Sequence, residues 1–79
     1  MSQEEVLIQS PLLYKLVREP GGALVLEAVV GGIAMYSVRV RLNAEETAAY
    51  AREGQAFADR LAQEIMANPR FFGRAVDVP

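Results

Sequence analysis

The stretch PGGALVLEAVVGGI, residues 20–33, decides the fold that this sequence predicts. Its central run, residues 23–30, is rich in valine and leucine, lies between two Gly-Gly pairs and is too short for a typical helix. Such a run bounded by turn residues is typical of a β-strand. Similar runs at residues 12–19 and 33–42 precede and follow it, and short Gly-containing turns connect the three. The sequence therefore predicts a three-stranded antiparallel β-meander.

A long helix is predicted after the third strand, over residues 43–68. Asn43 is a favourable N-cap, and Glu46 three residues later completes a capping box. Apolar and small side chains then gather on one side of the helical wheel, which is typical of a helix packed on a sheet. The helix should end at Asn68, because a residue before proline is biased away from helical geometry. We interpret Gly54, inside the helix, as a point of close approach to the sheet, with a kink or a contact to a partner helix as alternatives.

The predicted fold class is α+β, with residues 1–79 forming one domain. In this β-β-β-α arrangement the long C-terminal helix packs on one face of the meander. Residues 1–10 are expected to form a flexible N-terminal arm. The tail, residues 69–79, has two alternatives: a 3₁₀ turn whose aromatic pair Phe71-Phe72 closes the end of the core, or a short edge strand.

Composition excludes several classes of protein. The chain has no cysteine and no histidine, so it offers neither a thiolate nor an imidazole for catalysis or metal binding. No apolar run is long enough to cross a bilayer, and the acidic start, Met1 to Glu5, is unlike a signal peptide. We therefore expect a cytoplasmic protein without a cofactor, a metal or a membrane partner. The abundance of alanine, and of arginine over lysine, is typical of GC-rich bacterial genomes.

The chain is unusually apolar for its size, with 52% hydrophobic residues among 79. If the turns comprise only Gly31-Gly32 and residues 20–23, both faces of the sheet carry large aliphatic side chains. One helix covers one face, so the other face needs a cover, and a second copy in a two-fold homodimer is the simplest candidate. The tail is the alternative. The predicted dimer face consists of Leu13, Val17, Leu24, Leu26, Val30, Ile33 and Met35.

Glu27 is notable because it interrupts the apolar middle strand. The same register places it on the helix-covered face, where a carboxylate would need a hydroxyl partner and would have a raised pKa. Tyr14, Tyr36 and Tyr50 could supply that hydroxyl, and the four residues would then form a ligand pocket between helix and sheet. The alternative is a rim position, or a salt bridge to an arginine across the dimer.

Arginines alternate with other residues at two places, Arg39 and Arg41 on the last strand and Arg70 and Arg74 around Phe71-Phe72. Arginine interleaved with aromatic residues on a sheet is typical of single-stranded nucleic-acid binding. The chain has a net charge of −2 and contains no motif of that class, so nucleic acid is not the expected partner. Solvated arginines that protect a sheet edge are the preferred interpretation.

Two hypotheses about function follow from this pattern. The first is a non-catalytic protein-interaction or regulatory module that acts as a homodimer and binds a protein partner, as a toxin-neutralising immunity protein does. It rests on the surplus of apolar residues and on the lack of residues suited to catalysis. The alternative is a small-ligand-binding or isomerase-like protein that uses Glu27 and the tyrosines.

Overall fold

The computed structural model describes residues 4–10, 14–31 and 36–78 and shows an α+β fold. One antiparallel sheet contains five strands that follow each other in sequence order. Two helices and one 3₁₀ turn lie between the fourth and fifth strands. No helix in the described ranges has the length and apolar character needed to span a membrane. The elements are β1 Glu5–Ser10, β2 Tyr14–Arg18, β3 Leu24–Val30, β4 Tyr36–Arg41, α1 Ala44–Glu53, α2 Gln55–Ala67, the 3₁₀ turn Phe71–Gly73 and β5 Val76–Val78.

The predicted meander corresponds to β2, β3 and β4, but the sheet extends beyond it on both sides. β1 pairs with β2, with Val6 opposite Val17 and Ile8 opposite Leu16, so a bulge falls at Leu7. The prediction of a flexible arm is therefore wrong for residues 5–10. Ladder hydrogen bonds and partial burial of Leu7 and Ile8 against the core hold this segment in place.

The tail supplies the fifth strand and also the 3₁₀ turn, so both predicted alternatives are present. β5 pairs with β4 through Val76 opposite Arg39. Phe71 is buried and closes one end of the core, whereas Phe72 is exposed. The aromatic pair therefore does not close the core as a unit.

The predicted helix begins and ends where expected but is not continuous. Asn43 accepts a hydrogen bond from the Glu46 N–H, and the Glu46 carboxylate accepts one from the Asn43 N–H, which confirms the capping box. Helix α2 ends at Ala67, before Asn68. Between the two helices Gly54 has φ 64° and ψ −135°, a conformation that interrupts a helix. The single helix over residues 43–68 is therefore corrected to two, and Gly54 marks the break.

The register of β3 differs from the predicted one at both hairpins. Val30 pairs with Tyr36, so residues 31–35 separate the strands where a two-residue turn was expected. On the other side Leu24 pairs with Arg18, a shift of one residue from Glu19. Because both shifts are odd, the side chains of β3 exchange faces relative to the prediction.

This exchange places most of the apolar surplus in a single core. The even-numbered side chains of β3 point toward the helices, and Ala58, Leu61, Ala62 and Ile65 of α2 pack over them. The buried side chains that the sheet and Leu42, the residue after β4, contribute to this core are Tyr14, Leu16, Leu24, Leu26, Ala28, Val30, Val38, Val40 and Leu42.

The predicted dimer face is corrected accordingly. Leu24, Leu26 and Val30 lie under the helices and are not available to a second chain. Val17 does lie on the opposite face, which we call the open face, but it is only 1% exposed. The remaining members of the predicted dimer face, Leu13, Ile33 and Met35, fall outside the described residues.

Candidate functional site

Glu27 lies on the open face, not between helix and sheet as predicted. Its carboxylate oxygens are 3.8 Å from Lys15 Nζ and 3.4 Å from Arg39 Nε. Arg39 in turn donates to Glu4 with an N···O distance of 2.6 Å. The register explains these contacts, because Glu27 is opposite Lys15 in β2 and opposite Arg39 in β4. Glu27 therefore belongs to a row of ion pairs across the sheet, and its arginine partner lies in the same chain, not across a dimer as the alternative stated.

The three tyrosines of the predicted pocket lie in three different places. The Tyr14 hydroxyl is buried under the helices and donates to the Asp59 carboxylate of α2. Burial, followed by the Asp59 carboxylate, raises the pKa of Tyr14 well above its usual range, so its hydroxyl remains a donor. Tyr36 is 45% exposed at the start of β4, and Tyr50 packs partly buried against the core from α1.

One cavity of about 320 Å³, lined by residues of β1, β2 and β3, does bring Tyr14 and Glu27 together. Tyr36 and Tyr50 are not among its described lining residues, and the Glu27 carboxylate is already paired with two cations. The predicted four-residue pocket is therefore not assembled. The described residues also contain no group of three or more carboxylates suited to a metal ion.

The C-terminal segment holds the most unusual backbone in the described chain. Phe71 and Phe72 have φ values of 46° and 59°, in the left-handed region that L-residues with a large side chain rarely adopt. Such a conformation costs about 1 to 2 kcal/mol per residue. The Phe71 side chain is 3% exposed, whereas that of Phe72 is 84% exposed. The strained turn therefore inserts one ring into the core and presents the other to solvent.

Arg74 holds this turn against the rest of the molecule. Its guanidinium makes two hydrogen bonds to the Glu46 carboxylate, at 2.6 and 3.0 Å, and donates to the Arg41 carbonyl at 2.9 Å. It also lies 5.2 Å from the centroid of the Phe71 ring. The hydrogen bonds with Arg74 hold the pKa of Glu46 below its usual value, and those with Glu46 raise the pKa of Arg74. A paired, partly buried charge of this kind fixes the position of the segment.

A groove lies beside this segment on the open face. It has a volume of about 370 Å³, and we call it the arginine groove. Val25 and Val76 supply its apolar lining, and Val76 is 65% exposed. Arg41 is 68% exposed and pairs with Glu19 at 2.8 Å. The described lining consists of Glu19, Val25, Arg39, Arg41, Arg74 and Val76.

We use the name C-terminal surface for the arginine groove, which includes Val76, together with the exposed Phe72 of the adjoining turn. Phe72 precedes Arg74 by only two residues, so its Cα lies within about 7 Å of that of Arg74. Comparison of the chain with known protein families, curated proteins and solved structures found no match. The function of the chain is therefore inferred from the geometry of this surface and not from a relative.

The sequence indicated part of this surface. It drew attention to Arg39, Arg41 and Arg74 as arginines near aromatic residues, and the structure places these three along one groove. Arg70 is exposed and is not among the described lining residues. The sequence missed Phe72 as an exposed residue, because two adjacent phenylalanines give no indication of which ring is buried. The following Gly73, with φ 83°, was the one local signal of an unusual turn.

Proposed function

We propose that this chain is a non-catalytic protein-interaction module and that it binds a protein partner through the C-terminal surface. The observation that supports this most directly is the position of Phe72. Phe72 is 84% exposed and has a left-handed backbone, and it follows Phe71, which is buried in the core and contacts Arg74. Aromatic residues on rigid supports are the typical anchors of protein interfaces.

The energetics also favour an interaction role for Phe72. An exposed phenylalanine gains little from burial within the chain, and its left-handed backbone reduces stability. Strain of this kind is characteristic of ligand-binding and catalytic sites, where the conformation itself is used. The described lining of the arginine groove, which includes Arg74 two residues after Phe72, supplies three arginines, one glutamate and two valines, a combination suited to binding a ligand.

The homodimer stays a prediction with reduced support. Leu24, Leu26 and Val30, three of the seven residues on which it rested, lie in the core, and Val6 and Val76 are the exposed large aliphatic residues among those described. Light scattering separates a mass of 8.7 kDa from twice that value. A regulatory role, or the role of an immunity protein, is likewise a proposal, because each depends on which protein the chain binds.

Affinity capture from a lysate of the native organism tests the proposed function if two exposed aromatic residues are compared. We expect the Phe72→Ala variant to lose at least about tenfold of the partner recovered by the wild-type chain, as for a central anchor residue. Tyr36→Ala is the matched control, because Tyr36 is also exposed but lies on β4, outside the C-terminal surface. It should recover the partner at the wild-type level.

Two results would contradict the proposal. The first is recovery of the same protein by wild type and Phe72→Ala in equal amounts. The second is loss of the protein from both variants alike, since that would place the contact elsewhere. Circular dichroism of each variant confirms that the fold is retained before capture is compared.

A further inference from the structure

We infer that the arginine groove binds an acidic, extended segment of the protein partner, one of whose carboxylates replaces Glu19 as the ligand of Arg41. This inference rests on the proposed function and specifies the chemistry of the partner. The groove has an apolar lining, Val25 and Val76, beside the guanidinium groups of three arginines. An acidic segment with an intervening aliphatic side chain complements both features.

Two of the three arginines are held in place by carboxylates that are not among the described lining residues of the groove. Arg39 pairs with Glu4 and Glu27, and Arg74 pairs with Glu46. These pairs fix the guanidinium groups, so little side-chain entropy is lost when a ligand binds beside them. The arrangement provides preorganised guanidinium groups, each already beside a carboxylate, rather than free charges.

Arg41 differs from the other two because its described carboxylate partner, Glu19, lines the same groove. The side chain of Arg41 is 68% exposed, and exposed ion pairs contribute little to stability. A partner carboxylate can therefore take the place of Glu19 at small cost. Glu19 then acts as an internal competitor for the site, which gives its removal a predicted direction.

The surrounding charges favour an acidic protein segment over a nucleic acid. Glu4, Glu27 and Glu46 pair with the arginines from outside the described lining of the groove, so a continuous phosphate backbone that extends beyond the groove would meet carboxylates. The chain also has a net charge of −2. A short segment with one or two carboxylates needs favourable charge only at the groove itself.

Selection from a random peptide library displayed on phage, against the purified full chain, tests the inference. We expect enrichment of peptides that combine aspartate or glutamate with aliphatic residues. For the best peptide, Arg41→Gln should weaken binding by about five- to thirtyfold, and Glu19→Gln should tighten it by about two- to fivefold. Arg52→Gln, on the exposed side of α1, is the matched charge control and should leave binding unchanged.

Three outcomes would overturn the inference. The first is enrichment of basic or uncharged peptides. The second is weaker peptide binding by Glu19→Gln, because Glu19 would then contact the peptide and not compete with it for Arg41. Tighter binding of single-stranded oligo(dT) than of the best peptide would show a nucleic-acid site instead. If Phe72→Ala still abolishes capture of the native partner in any of these cases, the proposed function stands while the acidic-segment inference fails.

Discussion

Two adjacent phenylalanines differ in burial although both have a left-handed backbone. Phe71 and Phe72 both adopt positive φ, and their ring centroids lie 5.6 Å apart. One ring completes the core and the other is solvated. The burial of Phe71, worth about 2 to 3 kcal/mol, offsets the strain at its own position. The strain at Phe72 has no comparable compensation within the chain.

Replacing Phe72 should therefore increase stability. We expect Phe72→Asn to raise the free energy of unfolding by about 0.5 to 1 kcal/mol, because asparagine tolerates a left-handed backbone and the exposed ring contributes little. Urea unfolding followed by circular dichroism measures the difference. Phe71→Asn is the control and should lower the free energy of unfolding by about 3 kcal/mol or more. A clear loss of stability in Phe72→Asn would show that the ring packs more than its exposure indicates.

At the scale of elements, the break between the helices depends on Gly54. Its N–H donates to the Tyr50 carbonyl and ends α1, while its own carbonyl accepts from Phe57 and starts α2. The combination of φ 64° and ψ −135° is accessible to glycine but strained for other residues. A Cβ added at this position would meet no atom within 4 Å apart from its neighbours in the chain, so backbone strain and not a clash limits Gly54→Ala.

Gly54→Ala distinguishes a broken helix from a continuous one. We expect the substitution to lower the free energy of unfolding by about 1 to 3 kcal/mol, through backbone strain alone. A continuous helix would instead gain about 1 kcal/mol, because alanine is the better helix former. Thermal or urea unfolding gives the sign. Gly21→Ala is the matched control, since its Cβ also meets open space and its φ is not positive, and it should be neutral or slightly stabilising.

At the scale of the whole molecule, the C-terminal segment is tied to the start of the helices. Arg74 connects the tail to Glu46, which also completes the capping box of α1. One carboxylate therefore supports both the helix N-terminus and the turn that presents Phe72. Because Arg74 keeps the pKa of Glu46 below 4.5, the contribution of Glu46 to stability depends on pH.

The sign of this dependence follows from the lowered pKa. The contribution is fully present above the unfolded pKa of about 4.5 and is lost as the pH falls through the lower pKa of the folded state. We expect Glu46→Gln to lower the free energy of unfolding by about 1 kcal/mol at neutral pH, and the difference from wild type to vanish in acid. Glutamine can still accept from the Asn43 N–H, so the variant isolates the charge. A difference that stays constant with pH would contradict the assignment.

The local features of this protein could be predicted from its amino-acid sequence. The meander strands, the Asn43-Glu46 capping box and the end of the helix before Pro69 were all predictable, because each depends on neighbouring residues. The same holds for the α+β class, since it follows from the order of the elements. The arginines of the groove were recognised as a group, but not as the lining of one cavity.

The register of β3, the pairing of β1 and the exposure of Phe72 could not be predicted, because they depend on contacts between distant parts of the chain. β3 is apolar on both faces apart from Glu27, so its register was decided by pairing with Arg18 and Tyr36 and by the helices that cover its even-numbered residues. β1 is a strand because its backbone pairs with β2. The exposure of Phe72 depends on the Phe71 site in the core and on the Arg74 bond to Glu46, twenty-eight residues away. Local sequence fixes conformational preferences, whereas burial and pairing choose between them.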